Sequence, residues 1–193
     1  MSQGSLTSFT TDRFGNANSA LALNGGWTQA PSGIYFNTPE FTISVWIYPQ
    51  LLGSVSNVIN FGNGSPLDNI QLSIYQSRYS SPQFEIYNGS TSMITASASS
   101  SQRLAWCQWQ LLTVTFSSIS NMTIIYINGQ ATVSLNKNFN PLTQNRTKCY
   151  IGKSFYGTVQ VYSSSYLDDL RFYNKSLSQC EILALMNNSS KLI

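Results

Sequence analysis

Hydrophobic and polar residues alternate along most of this 193-residue chain, the period of strands with one buried face. Phe41-Thr-Ile-Ser-Val-Trp-Ile-Tyr48 sets Phe41, Ile43, Val45 and Ile47 on one face, with Trp46 and Tyr48 on the other. Pro49 is expected to end that strand, because it has no amide proton for a ladder. Shorter runs of the same kind predict strands at Asn57–Phe61, Asn69–Tyr75, Gln83–Tyr87, Trp109–Phe116, Met122–Ile127, Lys148–Gly152 and Tyr166–Tyr173. Asn128-Gly129 directly follows Ile127, a pair that tolerates the positive φ angles of a tight hairpin. Runs rich in Ser, Asn, Gly and Pro, such as Ser97–Ser101 and Ser163–Ser165, read as loops. Many short strands separated by turn signals predict an all-β fold, an antiparallel two-sheet sandwich or jelly roll.

The pattern changes once, near the end. Ser178-Gln-Cys-Glu181 is a capping box, in which hydroxyl and carboxylate each satisfy an amide of the first helical turn. Leu177 and Ile182 are spaced for a hydrophobic staple across it. Ile182, Leu183, Leu185 and Met186 then form an apolar stripe, with Asn187 and Asn188 as terminators. The sequence shows neither internal repeat nor linker, so residues 1–193 are expected to form one domain, with its core at about 12–187.

Composition narrows the setting. Hydrophobic residues make up 42% and aromatics 13%, enough for a sizeable core. Charged residues are only 9%, against about 25% in a typical chain. Ser, Thr, Asn and Gln fill the gap at roughly 40%. The net charge of +3 is scattered, and no basic run could track a phosphate backbone, so nucleic acid is not an expected partner. No apolar run approaches the roughly 20 residues that span a bilayer, so membrane insertion is not expected either. Asn-X-Ser/Thr sequons stand at Asn63, Asn88, Asn121, Asn145, Asn174, Asn187 and Asn188. That number exceeds chance even for this composition, and it points to a secreted, extracellular glycoprotein. Met1 to Thr11 is polar, without the charged start and apolar stretch of a signal peptide, which is expected of a chain that begins after a removed leader or is a domain of a longer one.

Three cysteines, Cys107, Cys149 and Cys180, leave one over in an oxidising compartment. Cys107 precedes one expected strand and Cys149 begins another, which makes Cys107–Cys149 the first choice of disulfide. The chain has no His and no Cys-x-x-Cys spacing, so thiolate–imidazole metal sites and a His-activated thiol nucleophile are unsupported.

Four blocks together resemble the laminin-G-like jelly rolls of the concanavalin A-like lectin/glucanase superfamily, to which pentraxins are also related. They are Gly15-Asn-Ala-Asn-Ser-Ala-Leu-Ala-Leu-Asn-Gly25, the strand Phe41–Pro49, the pair Trp109–Phe116 and Ile125–Gly129, and the closing segment Leu167–Leu185. The closing segment is the most specific. The resemblance implies a concanavalin A-like sandwich with one short C-terminal helix, and functions ranging from glycan binding and adhesion to glycoside hydrolysis.

Hydrolases of that kind carry two carboxylates about 5–5.5 Å apart, in a Glu-x-Asp-x-x-Glu pattern. The seven acids here form no such pattern, and the adjacent Asp168 and Asp169 are expected on opposite faces of a strand. The chain therefore reads as a non-enzymatic extracellular module that binds glycans or cell-surface and matrix glycoproteins. The alternative is a self-associating subunit of an extracellular fibre or matrix, a homo-oligomer or polymer favoured by its low charge. The resemblance also implies a structural calcium between the opening block and the closing strand, with Asn24, Asp168 and Asp169 as the ligands to test. Asn24 stands where an Asp is usual, which weakens the site, and the alternative is a backbone or Arg171 partner for one aspartate and no metal. For a glycan, the loop aromatics Trp27, Tyr79, Tyr156 and Tyr162 offer flat apolar faces beside amides and hydroxyls.

Overall fold

In the computed structural model two antiparallel sheets pack face to face; it describes residues 2–3, 6–50, 56–64, 67–75, 81–99, 101–156, 159–162 and 164–188. Among these residues the first sheet runs, in spatial order, Ser2–Gln3, Thr28–Ala30, Lys148–Ile151, Ser56–Gly62, Ile70–Tyr75, Ser81–Asn88 and Thr91–Ser97. The second runs Gln130–Asn136, Met122–Ile127, Gln110–Ser117, Glu40–Pro49, Ser165–Tyr173, Ala20–Ala22 and Ser8–Thr10. Short ladders join Gly33–Ile34 to Asn145–Arg146 and Lys153–Tyr156 to Val159–Tyr162.

The alternation in Glu40–Pro49 does what its pattern dictates. Phe41, Ile43, Val45 and Ile47 are buried, and Ile43 and Val45 lie opposite Val114 and Leu112 of the neighbouring strand. From the first sheet, Ile59, Phe61, Ile70, Leu72, Phe84 and Ile86 close the same core. Each such side chain contributes about 1.5–3 kcal/mol by leaving water. Pro49 is the last residue of its strand, and its carbonyl accepts from the Cys107 amide at 3.0 Å.

Besides short strands such as Ser8–Thr10, Ala20–Ala22, Thr28–Ala30, Lys153–Tyr156 and Val159–Tyr162, two longer strands fall outside the sequence expectation. Thr91–Ser97 and Gln130–Asn136 form the outer strands of hairpins, each reached through a turn with positive φ, at Gly89 and at Asn128-Gly129. Thr91–Ser97 breaks the alternation between Ser92 and Ile94, whereas Gln130–Asn136 alternates strictly after the Asn128-Gly129 turn, a signal that was present in the sequence. The segment read as a loop from Ser97 therefore begins inside a strand.

The helix spans Gln179–Asn188 and lies on the outer face of the second sheet, where Leu177 and Ile182 pack with Leu111 and Tyr126. Its cap is the one expected: the Ser178 amide donates to Glu181 at 2.8 Å, and the Glu181 amide donates to the Ser178 hydroxyl at 3.3 Å. Hydrogen bonds from Lys175 and Ser178 hold the Glu181 carboxyl down to about 2. Leu183 packs against the Asn128-Gly129 turn so closely that a Cβ on Gly129 would collide with it.

The expected Cys107–Cys149 disulfide is not formed. Cys149 is fully buried, paired with Ala30 and Phe61 in the first sheet, and its thiol donates to the Arg146 carbonyl at 3.4 Å. Cys107 lies exposed in a turn tied to Pro49 of the second sheet. A core thiol and a surface thiol anchored to different sheets cannot reach disulfide geometry without moving backbone. Burial pushes the Cys149 thiol up to about 11. A thiol-labelling reagent at neutral pH should therefore modify Cys107 and Cys180 quickly and Cys149 only with unfolding. Three fast thiols would contradict this placement.

Candidate binding face

The strands that bury Ile59, Leu72 and Phe84 turn their alternate residues outward. Asn60, Gln71 and Glu85 lie side by side in register across three strands of the first sheet, and Tyr150 extends the row to a fourth. They form a hydrogen-bonded ladder: Asn60 Nδ2 donates to Gln71 Oε1 at 2.9 Å, and Gln71 Nε2 donates to Glu85. The Tyr87 hydroxyl donates to the other oxygen of Glu85 at 3.2 Å. All five residues are buried, although they face away from the apolar core. Beside this row, Asn57 opposes Ser73. Asn57 Nδ2 and Ser73 Oγ are buried and have no hydrogen-bond partner among the described residues.

An aromatic platform closes one end of the ladder. Trp27 meets Tyr150 edge to face, with ring centroids 5.1 Å apart. The Lys153 ammonium sits 4.4 Å from the Trp27 centroid and 4.9 Å from that of Tyr150, a cation–π arrangement. Burial, with a further push from Lys148, lowers the Lys153 pKa. Trp27 itself is half-buried. The face thus combines a flat ring, a cation, amides that donate and accept, and one carboxylate.

Of the four aromatics expected to serve a ligand, only Trp27 is placed in this cluster. Tyr79 lies outside the described residues. Tyr156 and Tyr162 belong to the hairpin that continues from Lys148–Ile151, where Tyr162 pairs with Lys153 and Tyr156 with Val159. Sequence reasoning missed Asn57, Asn60, Gln71, Ser73 and Glu85. Their signal was the Asn, Gln and Glu at the outward positions of alternating strands, where Ser and Thr would have served a solvated surface.

The expected cation site is built differently. Asp168 and Asp169 do not point to opposite faces. A register irregularity between Asp168 and Arg171, with Asp169 at φ 49°, brings both carboxylates onto Arg13. Arg13 binds Asp168 and lies 2.7 Å from Asp169, while Arg171 reaches Asp169 from the other side at 3.0 Å. The guanidinium also covers the rings of Phe14 and Trp46, at 4.2 and 4.9 Å. Burial raises the Asp168 pKa, against the pull of Arg13. Asn24 stands elsewhere. The Leu23 amide bonds to the Ser165 carbonyl and Leu21 pairs with Leu167, which puts Asn24 in the turn past the far end of that ladder from Asp168. Asn24, Asp168 and Asp169 thus do not fit a calcium site, since an internal cation already neutralises the acid pair.

Two antiparallel sheets of this order, closed by the strand Ser165–Tyr173 and a short helix, define a lectin-like jelly roll. Residues 23–183 match the laminin-G-type family of the concanavalin A-like lectin/glucanases superfamily, and the chain belongs to it. No curated protein matches it in sequence. Among solved structures, it is similar to domain 4 of an extracellular GH43 arabinanase from Geobacillus stearothermophilus, in complex with arabinotriose. Identity is 20%, coverage 94% of this chain and 82% of that one, and the TM-score 0.70. The binding domain of botulinum neurotoxin DC, in complex with SialylT, is 16% identical over 97% of this chain and 45% of its own, with a TM-score of 0.67. A heptameric SAP-like pentraxin from Limulus polyphemus is 16% identical over 93% and 80%, with a TM-score of 0.61. This chain spans less than half the length of the toxin domain.

Arg13→Met leaves two partly buried carboxylates facing each other, and should cost about 3–5 kcal/mol of stability. The thermal midpoint of the unaltered protein should be the same in EDTA and in millimolar calcium. A calcium-dependent rise would overturn the assignment of Arg13 as the resident cation.

Proposed function

We propose that this chain is an extracellular carbohydrate-binding module without catalytic activity, and that its ligand lies on the outer face of the first sheet. The observation that carries this reading is the ladder Asn60–Gln71–Glu85 beside Trp27, with Asn57 Nδ2 and Ser73 Oγ next to it unpartnered among the described residues. A sugar offers one apolar face and a rim of hydroxyls that both donate and accept. Trp27 matches the first requirement, and the amides match the second. Access runs past Trp27, the most exposed member of the set. The arabinotriose and SialylT complexes of the similar folds support the same ligand class.

Glu85 is the only acid in the ladder, and hydrolysis with either stereochemical outcome needs a second carboxylate. The extracellular setting is supported by the sequons. Asn88, Asn145, Asn174 and Asn187 are exposed, while Asn63 and Asn121 are half-buried. Titration calorimetry against arabino-oligosaccharides and sialyllactose, preceded by a glycan array, tests the reading. Trp27→Ala should weaken the best ligand tenfold or more, about 1.4 kcal/mol, without loss of fold. An array without signal, or a Trp27→Ala protein that binds as tightly as the parent, would refute it.

One observation favours self-association as a second reading. Thr91–Ser97 and Gln130–Asn136 are seven-residue edge strands without a single charge or Pro, so the irregularities beside Met93 and Thr132 are the one edge protection they carry. Light scattering after size exclusion should then show mass rising with concentration. A monomer at all concentrations removes this reading.

A further inference from the structure

At one end of the sandwich a pocket of about 240 Å³ opens between Phe36, Phe41 and Phe172, rimmed by Asn37, Thr38 and Asn174. It is smaller than the roughly 300–1,000 Å³ of pockets for drug-sized ligands, and holds one sugar ring rather than a chain. Its walls are held in place by the fold. Phe36 adopts φ 58°, a backbone conformation that a bulky residue rarely takes. It is fixed there by the buried Arg146, whose guanidinium donates to the carbonyl of Tyr35, and by the ladder joining Gly33–Ile34 to Asn145–Arg146. Phe172 pairs with the fully buried Ile43, yet 43% of its surface is exposed. Phe36 and Phe61 support it from within, with ring centroids 5.5 and 5.7 Å away.

Asn174 of the sequon Asn174-Lys175-Ser176 stands in the bend just past the end of this strand and lines the same pocket. The segment after it is pinned. The Thr42 hydroxyl donates to the Lys175 carbonyl at 2.7 Å and accepts from the Leu177 amide at 3.0 Å. Asn174 is exposed on this anchored bend at the mouth of the pocket.

We infer that Asn174 is a site of N-glycosylation, and that the first N-acetylglucosamine of its glycan lies against Phe172 and closes the aromatic pocket. The inference needs the secretory route of the reading above, but not the sheet-face ligand. In the modification, the Asn174 amide nitrogen attacks C1 of an oligosaccharide carried on a lipid pyrophosphate. The C1–N bond forms, the C1–O bond breaks, the pyrophosphate leaves with its electron pair, and the amide loses one proton. The attached ring then has an apolar face to set on Phe172 and an acetamido group to meet Asn37 and Thr38.

The test uses the full chain from a glycosylating eukaryotic host. Glycopeptide mass mapping should find Asn174 occupied. Glycans trimmed enzymatically to a single sugar should leave the thermal midpoint about 2–4 °C above that of Asn174→Gln from the same host. In the bacterial, unglycosylated protein, Asn174→Gln should have no such effect. Phe172→Leu keeps an apolar side chain but removes the ring, and it should abolish the difference between glycosylated and Asn174→Gln forms. The N-acetylglucosamine protons should show ring-current shifts that vanish in the same variant. Asn174 left bare while other sequons are occupied overturns this inference alone. Every sequon bare overturns it together with the extracellular reading. Occupancy without a stability difference, or a difference that survives Phe172→Leu, also overturns it.

Discussion

Core and candidate binding face are cut from the same three strands, Ser56–Gly62, Ile70–Tyr75 and Ser81–Asn88, so the register of those strands is the constraint on which the rest depends. In the observed register Ile59, Leu72 and Phe84 share the core, while Asn60, Gln71 and Glu85 share the outer face. A slip of one residue in any strand exchanges the two sets. Exposing an aliphatic or aromatic side chain costs about 1.5–3 kcal/mol. Burying an amide or acid without its partner costs about 1–3 kcal/mol more. Three such exchanges amount to most of a domain's stability of about 5–15 kcal/mol. Local chemistry reinforces the register. Asn69 packs over Gly62, where any Cβ would collide with its amide. Asp68, at φ 57°, accepts from the Gly89 amide at 2.6 Å and ties one strand connection to the next.

How much of this was legible in the chain follows from sequence separation. The strand Phe41–Tyr48, the Asn128-Gly129 turn and the Ser178 capping box each depend on residues within ten positions of one another, and all three are present as expected. The ladder was not legible, because its members come from separate strands and only register aligns them. The irregularity between Asn57 and Ile59 also breaks the alternation at the point where the face begins. Arg13 gave no signal at all: 155 residues separate it from Asp168, and a bulge had to turn both aspartates toward it. The cysteines misled for a related reason. Position beside a strand says nothing about which face the thiol takes, and Cys149 takes the core.

Arg13 and the ladder show two ways of handling buried polarity in a chain with few charges. At Arg13 the balance is internal. One guanidinium meets two carboxylates and two rings, and only its Nε lacks a hydrogen-bond partner. That arrangement clamps the opening loop to the closing strand.

On the sheet face the balance is left incomplete. Asn57 Nδ2 and Ser73 Oγ each forgo a hydrogen bond that water would supply in the unfolded chain, at about 1–3 kcal/mol apiece. A ligand hydroxyl that reaches both groups recovers that cost, whereas a ligand lacking the hydroxyl does not. On the proposed reading, discrimination would come from the amides, and the Trp27 ring would add apolar contact to the face of the sugar. Because Asn60, Gln71 and Glu85 already hold one another in place, the ladder needs little reordering when a ligand arrives. On the proposed reading, a buried face whose polar groups lack partners among the described residues would suit selection among similar sugars better than tight binding of any one of them.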